Sequence, residues 1–366
     1  MDSDFDVIIV GSGPAGLSAA VHIRKQDRTV AIVANNGRRG SAKDVICPDV
    51  KEELQLLGMA RDAIHVLGRA CHAISASWAT PTPLVQSFFG HSYGDSLIVE
   101  RQSFDTTLRQ LAISAGTKLL DGAFGEAIYH GRQWHVMCRN ASGAHAFTSR
   151  MLVDASGRSA FVARAVGVIP KRYDRLIGAS AVIRLSSPSL LQVIAAREGW
   201  WYTIPSAADE TIACLMTDAD IARDLNAVTI SEWVRLARQA LPEQPQVWPA
   251  TLRVHACETA VLPQMGEHWI AVGDAAASYD PLSGIGVLHA LRSARYAAKA
   301  IAQVLSGDTR ALGLYAEQER QAFATYLHHR RHHYGLARRF SSHLFWERRK
   351  KQYTSIGRYP LGHSQR

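Results

Sequence analysis

A β-branched run that ends on glycine constrains this chain more than any other feature. Residues 6–10, Asp-Val-Ile-Ile-Val, stop at Gly11-Ser-Gly13-Pro-Ala-Gly16, after which Leu17, Ala20 and Val21 take helical spacing. Residues 29–33, Thr-Val-Ala-Ile-Val, read as a second strand. Glycines at this spacing permit a tight turn, close approach of backbone to a pyrophosphate, and packing of helix against strand, and the helix start lends positive potential to the phosphates. The unit is the βαβ entry to a doubly wound dinucleotide-binding fold, with Gly11, Gly13, Pro14, Ala15 and Gly16 at the phosphates. It departs from the usual pattern at the acidic residue expected about 20 residues on. Ala34-Asn35-Asn36 stands there, so Asn35 is the expected, uncharged ribose partner.

The rest of the chain alternates in blocks. Residues 50–57 read as an amphipathic helix, 70–78 as strand material followed by a polar, Pro-rich, aromatic stretch to Tyr93, and 103–115 as a helix with Phe104, Leu108 and Leu111 on one face. Runs at 123–129, 134–139 and 144–149 make a meander closing on Met151-Leu-Val-Asp154. Residues 176–185, 199–204 and 211–217 read as longer strands of another sheet, with a helix at 231–240. The chain then returns to its first domain, because Trp269-Ile-Ala-Val272 is a buried-type strand running into Gly273-Asp274, and Gly284 opens a long helix. The pattern predicts an α/β protein. A Rossmann-like nucleotide domain (1–75, 97–172 and 262–307) is interleaved with a β-sheet substrate domain (76–96 and 173–261) and followed by a helical basic extension (308–366).

Charge locates that extension. Residues 318–366 hold 11 Lys and Arg against 2 Asp and Glu, so the net +9 of the 366-residue chain belongs to its last 49 residues and the body is neutral. A neutral body with a cationic end is not a basic domain surface, which argues against nucleic acid as a partner. Two readings of the extension follow: a lid that packs by its aromatics and leaves its arginines solvated, or a docking surface for an acidic protein or peptide, with Arg348, Arg349, Lys350 and Lys351 as contacts. Five scattered cysteines suggest neither disulfides nor zinc and fit a reducing cytoplasm. No apolar window is long enough for a membrane span, and Asp2, Asp4 and Asp6 oppose a signal-peptide reading. His328, His329, His332 and His333 make two pairs at i, i+4, but Arg330 and Arg331 would repel a cation, so no metal site is expected.

Further motifs arrive in a recognisable order: Arg101 before the helix at 103–115, Asp154-Ala155-Ser156-Gly157-Arg158 after a strand, Gly273-Asp274-Ala-Ala after another, and Pro281-Leu-Ser-Gly284-Ile285-Gly286 at the long helix. Together they resemble the glutathione-reductase-type FAD proteins of the group A monooxygenase kind over nearly the whole chain. The resemblance implies that Ala155 and Gly157 border FAD, that Asp274 holds its ribityl and pyrophosphate end with Arg101 as cationic counterpart, and that residues 281–286 aim a helix start at the flavin pyrimidine ring. Gly199-Trp-Trp-Tyr-Thr-Ile-Pro205, Thr217-Asp218-Ala-Asp220 and the aromatic, Arg-rich tail are similar to a narrower group. These are the halogenase-like flavoprotein monooxygenases that hydroxylate tryptophan during cysteine tryptophylquinone biogenesis.

That resemblance implies oxygen insertion from a flavin C4a-hydroperoxide, using O2 and either NAD(P)H or a separate flavin reductase. An Asp-Gly pair of the NAD(P)H-linked hydroxylases is replaced here by Ser156-Gly157, which puts direct pyridine-nucleotide contact in doubt. Halogenases of this scaffold carry a lysine beside the hypohalous acid channel, and residues 52–117 contain none. Hydroxylation is therefore preferred to halogenation, with a small-molecule hydroxylase or halogenase, an isoprenoid double-bond reductase, and a flavin-binding chaperone as rivals. No protein nucleophile is required, and Trp200, Tyr202, His91 and Pro281 are the candidates for the pocket wall.

Overall fold

The computed structural model describes residues 4–34 and 43–351; Asn35, the expected ribose partner, lies outside the described residues. Four parallel-paired strands form the heart of the first sheet: Lys118–Asp121, Val30–Ala34, Phe5–Val10 and Gly143–Asp154, with Trp269–Ala271 joining the last. Gln133–Asn140 and Ala123–His130 extend it as the antiparallel meander. Val7 and Ile9 face one apolar core with the helices Pro14–Arg24 and Gly286–Leu305, while Ile8 and Val10 face another against the meander. Burial on both faces is why this strand reads as an unbroken apolar run.

The second sheet runs in the order Arg253–Ala256, Leu176–Arg184, Glu210–Asp218, Gly199–Pro205, Leu190–Ala196, Ala73–Ser77, Leu84–Ser87. Three of its strands, Leu84–Ser87, Leu190–Ala196 and Arg253–Ala256, escaped the sequence reading: the first and last are only four residues long, and Leu190–Ala196 shows no clean alternation. Ala73–Ser77 pairs in parallel with residues 190–194 along its length. The second sheet thus begins at residue 73, and a boundary drawn after residue 75 cuts one of its strands. Strand alternation is clear at Gly199–Pro205: Trp200 packs in the core that also holds Trp78, and Trp201 turns to Trp233 on the opposite face, ring centroids 5.1 Å apart.

The basic extension packs by its aromatics, as the lid reading expects, but several of its arginines are buried or paired with the body rather than solvated, while Arg331, Arg338 and Lys350 are exposed. Ala311–Leu336 and Leu344–Lys351 lie against the body, and Phe345 and Trp346 are buried with Trp78, Trp200 and Tyr334. Arg330 is 3% exposed between Asp174 and Asp280, and Arg349 is 1% exposed on Asp218. Arg348 pairs with Asp218 and Asp220, and Arg339 donates to the carbonyls of Trp78, Ser77 and Ala195. Three acidic residues of the body, Asp174, Asp218 and Asp280, thus take their counter-charges from the extension. Among the described residues no helix is long and apolar enough to cross a membrane.

Candidate functional site

Helix Pro14–Arg24 starts at the tip of the central strand with Pro14 in its first turn, no side-chain cap and no acidic residue there. Its first N–H groups are left for a ligand, and the helix dipole makes that end electropositive. Gly11 has φ +114°, and a Cβ on it would lie 2.3 Å from the Ala155 carbonyl oxygen. A Cβ on Gly16 would lie 2.0 Å from the Gly11 carbonyl oxygen. These two glycines let chain segments touch, whereas Gly11, Gly13, Pro14 and Ala15 also line a single large cavity of about 2620 Å³.

A second uncapped helix start meets the same cavity. Gly286–Leu305 has neither a side-chain cap nor an acidic residue in its first turn, and Pro281, Gly284, Ile285 and Gly286 all line the space. A Cβ on Gly157, Gly284 or Gly286 would meet nothing within 4 Å, so these glycines border open volume. Gly273 differs: its Cβ would lie 2.7 Å from that of Ala15, which makes it a packing glycine beneath the first turn. Ala155 and Asp274 line the cavity; Gly16 and Gly273 do not.

Arg101 reaches the cavity, as Asp274 does, and forms its own ion pairs. It bonds Asp44 at 3.0 Å and Asp105 at 3.5 Å, and its Nε is buried with no hydrogen-bond partner among the described residues. The direct partner of Asp274 is Arg158 at 2.8 Å, whose Nε is likewise buried and unpartnered. Burial pushes the Asp274 carboxyl up from its ordinary value, and Arg158, then Arg101, oppose the shift. Arg158 was visible in sequence beside Gly157, yet nothing local connects it to a residue 116 positions away.

The far wall is aromatic and apolar. Trp200 and Tyr202 project into it from one face of their strand, joined by Trp78, whose ring centroid lies 6.2 Å from that of Trp200. Burial, with Cys214 beside it, drives the Tyr202 phenol well above its usual range, so it stays protonated. Burial likewise pushes the Cys257 thiol, also in the wall, up to about 12. Lys43, upstream of the lysine-free window, reaches the cavity and donates from Nζ to the Ser206 carbonyl. An ammonium group thus lies in the cavity wall although residues 52–117 contain no lysine, because chain position does not reveal that this strand borders the site. His91 does not join the cavity: it is exposed and sits 3.6 Å from Asp49. His329 and His333 line the space while all four histidines of residues 328–333 are exposed; among the described residues no group of three or more metal-ligating side chains forms.

Two uncapped helix starts, glycines that leave room for backbone approach and two guanidinium Nε donors without partners suit a dinucleotide diphosphate. The residues present fit FAD.

Comparison with known proteins agrees. Residues 6–171 match the family of FAD dependent oxidoreductases. The chain is 24% identical to LodB of Marinomonas mediterranea, named as an FAD-dependent oxidoreductase, over 94% of this chain and 96% of LodB. It is 26% identical to the menaquinone reductase of Mycobacterium tuberculosis over 82% and 77% of the two chains. Among solved structures, the myxobacterial chondrochloren halogenase CndH superposes with a TM-score of 0.83 at 20% identity, covering 94% of this chain and 86% of that one. The peptidyl tryptophan dihydroxylase QhpG, described as essential for tryptophylquinone cofactor biogenesis, superposes with a TM-score of 0.74 at 21% identity over 95% and 79%. At these identities the structures establish a shared fold.

Proposed function

We propose that this chain, an FAD-dependent oxidoreductase, is a monooxygenase of the halogenase and hydroxylase type that hydroxylates an electron-rich aromatic, specifically a polypeptide-borne tryptophan during tryptophylquinone maturation. The observation that carries this reading is the continuity of one cavity from the glycine turn to the Trp200–Tyr202 wall. Its volume of about 2620 Å³ is well above the roughly 300–1,000 Å³ of an ordinary ligand pocket. Room for a bulky second occupant beyond the cofactor follows.

In this reading the first turn of Pro14–Arg24 holds the FAD diphosphate, Asp274 with Arg158 and Arg101 holds the polar chain next to it, and residues 281–286 face the ring system. Bound and reduced, FAD supplies activation of O2. The protein's own part is orientation and dryness. Trp78, Trp200 and Tyr202 exclude water from the substrate side, and the protonated Tyr202 phenol can donate a hydrogen bond but does not serve as a base. Electrons come from NAD(P)H or a separate reductase. An acidic polypeptide would dock on cations the fold leaves exposed, Arg331, Arg338 and Lys350, rather than on Arg348 and Arg349.

Halogenation is the second reading, favoured by Lys43 in the cavity wall. The deciding experiment supplies FAD, reductant, O2 and a tryptophan-bearing acidic peptide with and without bromide, and reads the product by mass. Added oxygen independent of bromide supports hydroxylation. Bromide incorporation that disappears in Lys43→Gln supports halogenation. Turnover of an isoprenoid quinone without O2 would overturn both in favour of a reductase.

A further inference from the structure

The extension does more than cover apolar surface, because three of its side chains converge on the residue that starts the cavity-facing turn. Tyr326, Arg330 and Tyr334 are spaced four apart and so form one stripe of helix Ala311–Leu336. All three reach Asp280, which is 1% exposed. The Asp280 N–H donates to the Tyr326 hydroxyl at 2.8 Å; Arg330 Nε and the Tyr334 hydroxyl donate to Oδ2 at 3.0 and 2.7 Å. Oδ1 accepts the Leu282 N–H at 3.0 Å, and the Asp280 carbonyl accepts from Ser283 through both its N–H and its hydroxyl. Each polar group of Asp280 is thereby fixed, half by its own turn and half by the extension.

The same stripe touches the opposite wall. Tyr334 accepts a hydrogen bond from Trp200 Nε1 at 3.0 Å while donating to Asp280, so two hydrogen bonds join the substrate-side tryptophan to the turn at 281–286. Burial together with Asp280 raises the Tyr334 phenol well above its ordinary range, which keeps it a donor. Arg330 is held from behind by Asp174, itself fixed by the N–H groups of Leu176 and Thr259. The linkage is a rigid strut between the second sheet and the start of helix Gly286–Leu305.

We propose that Arg330 and Tyr334 are positioning residues for the bound flavin: acting through Asp280, they set where the turn at 281–286 and the electropositive helix start behind it sit against the ring. The inference rests on the FAD reading of the cavity. Negative charge accumulates on a flavin when it is reduced, so displacing a helix start by a fraction of an ångström changes the reduced form's binding more than the oxidised form's. A purely structural strut would lower stability without that asymmetry.

The test uses the full-length protein loaded with FAD. Tyr334→Phe, Asp280→Asn and the double variant are compared with Arg235→Gln, which breaks a surface pair with Glu232 on helix Ile230–Ala240, remote from the turn. Reduction potential, visible flavin spectrum and melting temperature are measured for each. Tyr334→Phe is expected to change the ratio of reduced to oxidised FAD affinity by about tenfold, equivalent to ~30 mV for a two-electron couple. The double variant should shift no further than Asp280→Asn alone, because both act through one carboxylate. Arg330→Lys, which retains the charge, should restore most of the wild-type potential where Arg330→Gln does not. An unchanged potential and spectrum in Tyr334→Phe with only a lowered melting temperature, or additive shifts in the double variant, would overturn the proposal. Failure of the unaltered protein to bind FAD in a fluorescence titration would instead remove the FAD reading, and the two failures are read separately.

Discussion

Replacing Arg349 by methionine separates a docking cation from an internal one. Arg349 Nη2 donates to Asp218 Oδ1 at 2.9 Å and Nη1 to Oδ2 at 3.2 Å, with a further bond to the Phe345 carbonyl at 3.0 Å. Its guanidinium lies 3.5 Å from the Phe345 ring centroid, and Asp218 is 3% exposed. Methionine preserves most of the apolar contact and removes the charge, leaving Asp218 with Arg348 at 3.1 Å on Oδ2 alone. Removing one partner of a buried pair costs about 3–5 kcal/mol, and the surviving contact places this case near the lower figure. At roughly 2 °C per kcal/mol for a chain larger than 250 residues, melting should fall by ~6 °C. Because the pair is shielded from solvent, the deficit should persist in 1 M salt. The double variant Arg349→Met with Asp218→Asn should regain much of the loss, since no uncompensated charge then remains. A melting temperature within a degree of wild type, or a double variant no better than the single, would refute the reasoning and return Arg349 to the surface.

Three other outcomes are expected. Gly16→Ala should lower stability by ~1–3 kcal/mol and weaken FAD binding, because its methyl would overlap the Gly11 carbonyl; Gly286→Ala should leave melting unchanged or slightly raised yet still weaken FAD binding, since its methyl meets only cavity. Paired calorimetric melts and FAD titrations check both. His22 is buried, and burial, then the nearby Lys25 and Arg295, lowers its pKa to about 4. The folded chain then binds fewer protons than the unfolded chain between about pH 6.5 and 4, so stability should drop by about 3 kcal/mol as pH falls through that window, an acid loss absent in His22→Leu. Asp220, held down to about 2 by its hydrogen bond to Arg348, adds a further loss between about pH 4 and 2 that denaturation of Arg348→Gln should lack.

Much of the architecture was legible in the residues themselves. The glycine turn, the meander and the return strand at residue 269 follow from periods of two and 3.6 residues and from positive φ at Gly11, all set by neighbours in the chain. Trp200 and Tyr202 on one face, with Trp201 on the other, follow from the same alternation. Leu190–Ala196 was hidden because both of its faces are packed, Val193 and Ala195 into one core and Ile194 into another, and Lys43 because sequence distance does not measure distance to a cavity.

Charge partnership was decided by the tertiary structure alone. Sequence located the +9 in the last 49 residues, yet only the folded chain pairs Asp274 with Arg158 and spends Arg330, Arg348 and Arg349 on Asp174, Asp280, Asp218 and Asp220. The physical reason is range. Periodicity and turn geometry are enforced by steric contacts within a few residues, and the sequence carries them openly. A buried charge must find a counter-charge within about 4 Å of space regardless of its place in the chain, and here the partners of Arg330 lie 156 and 50 residues away.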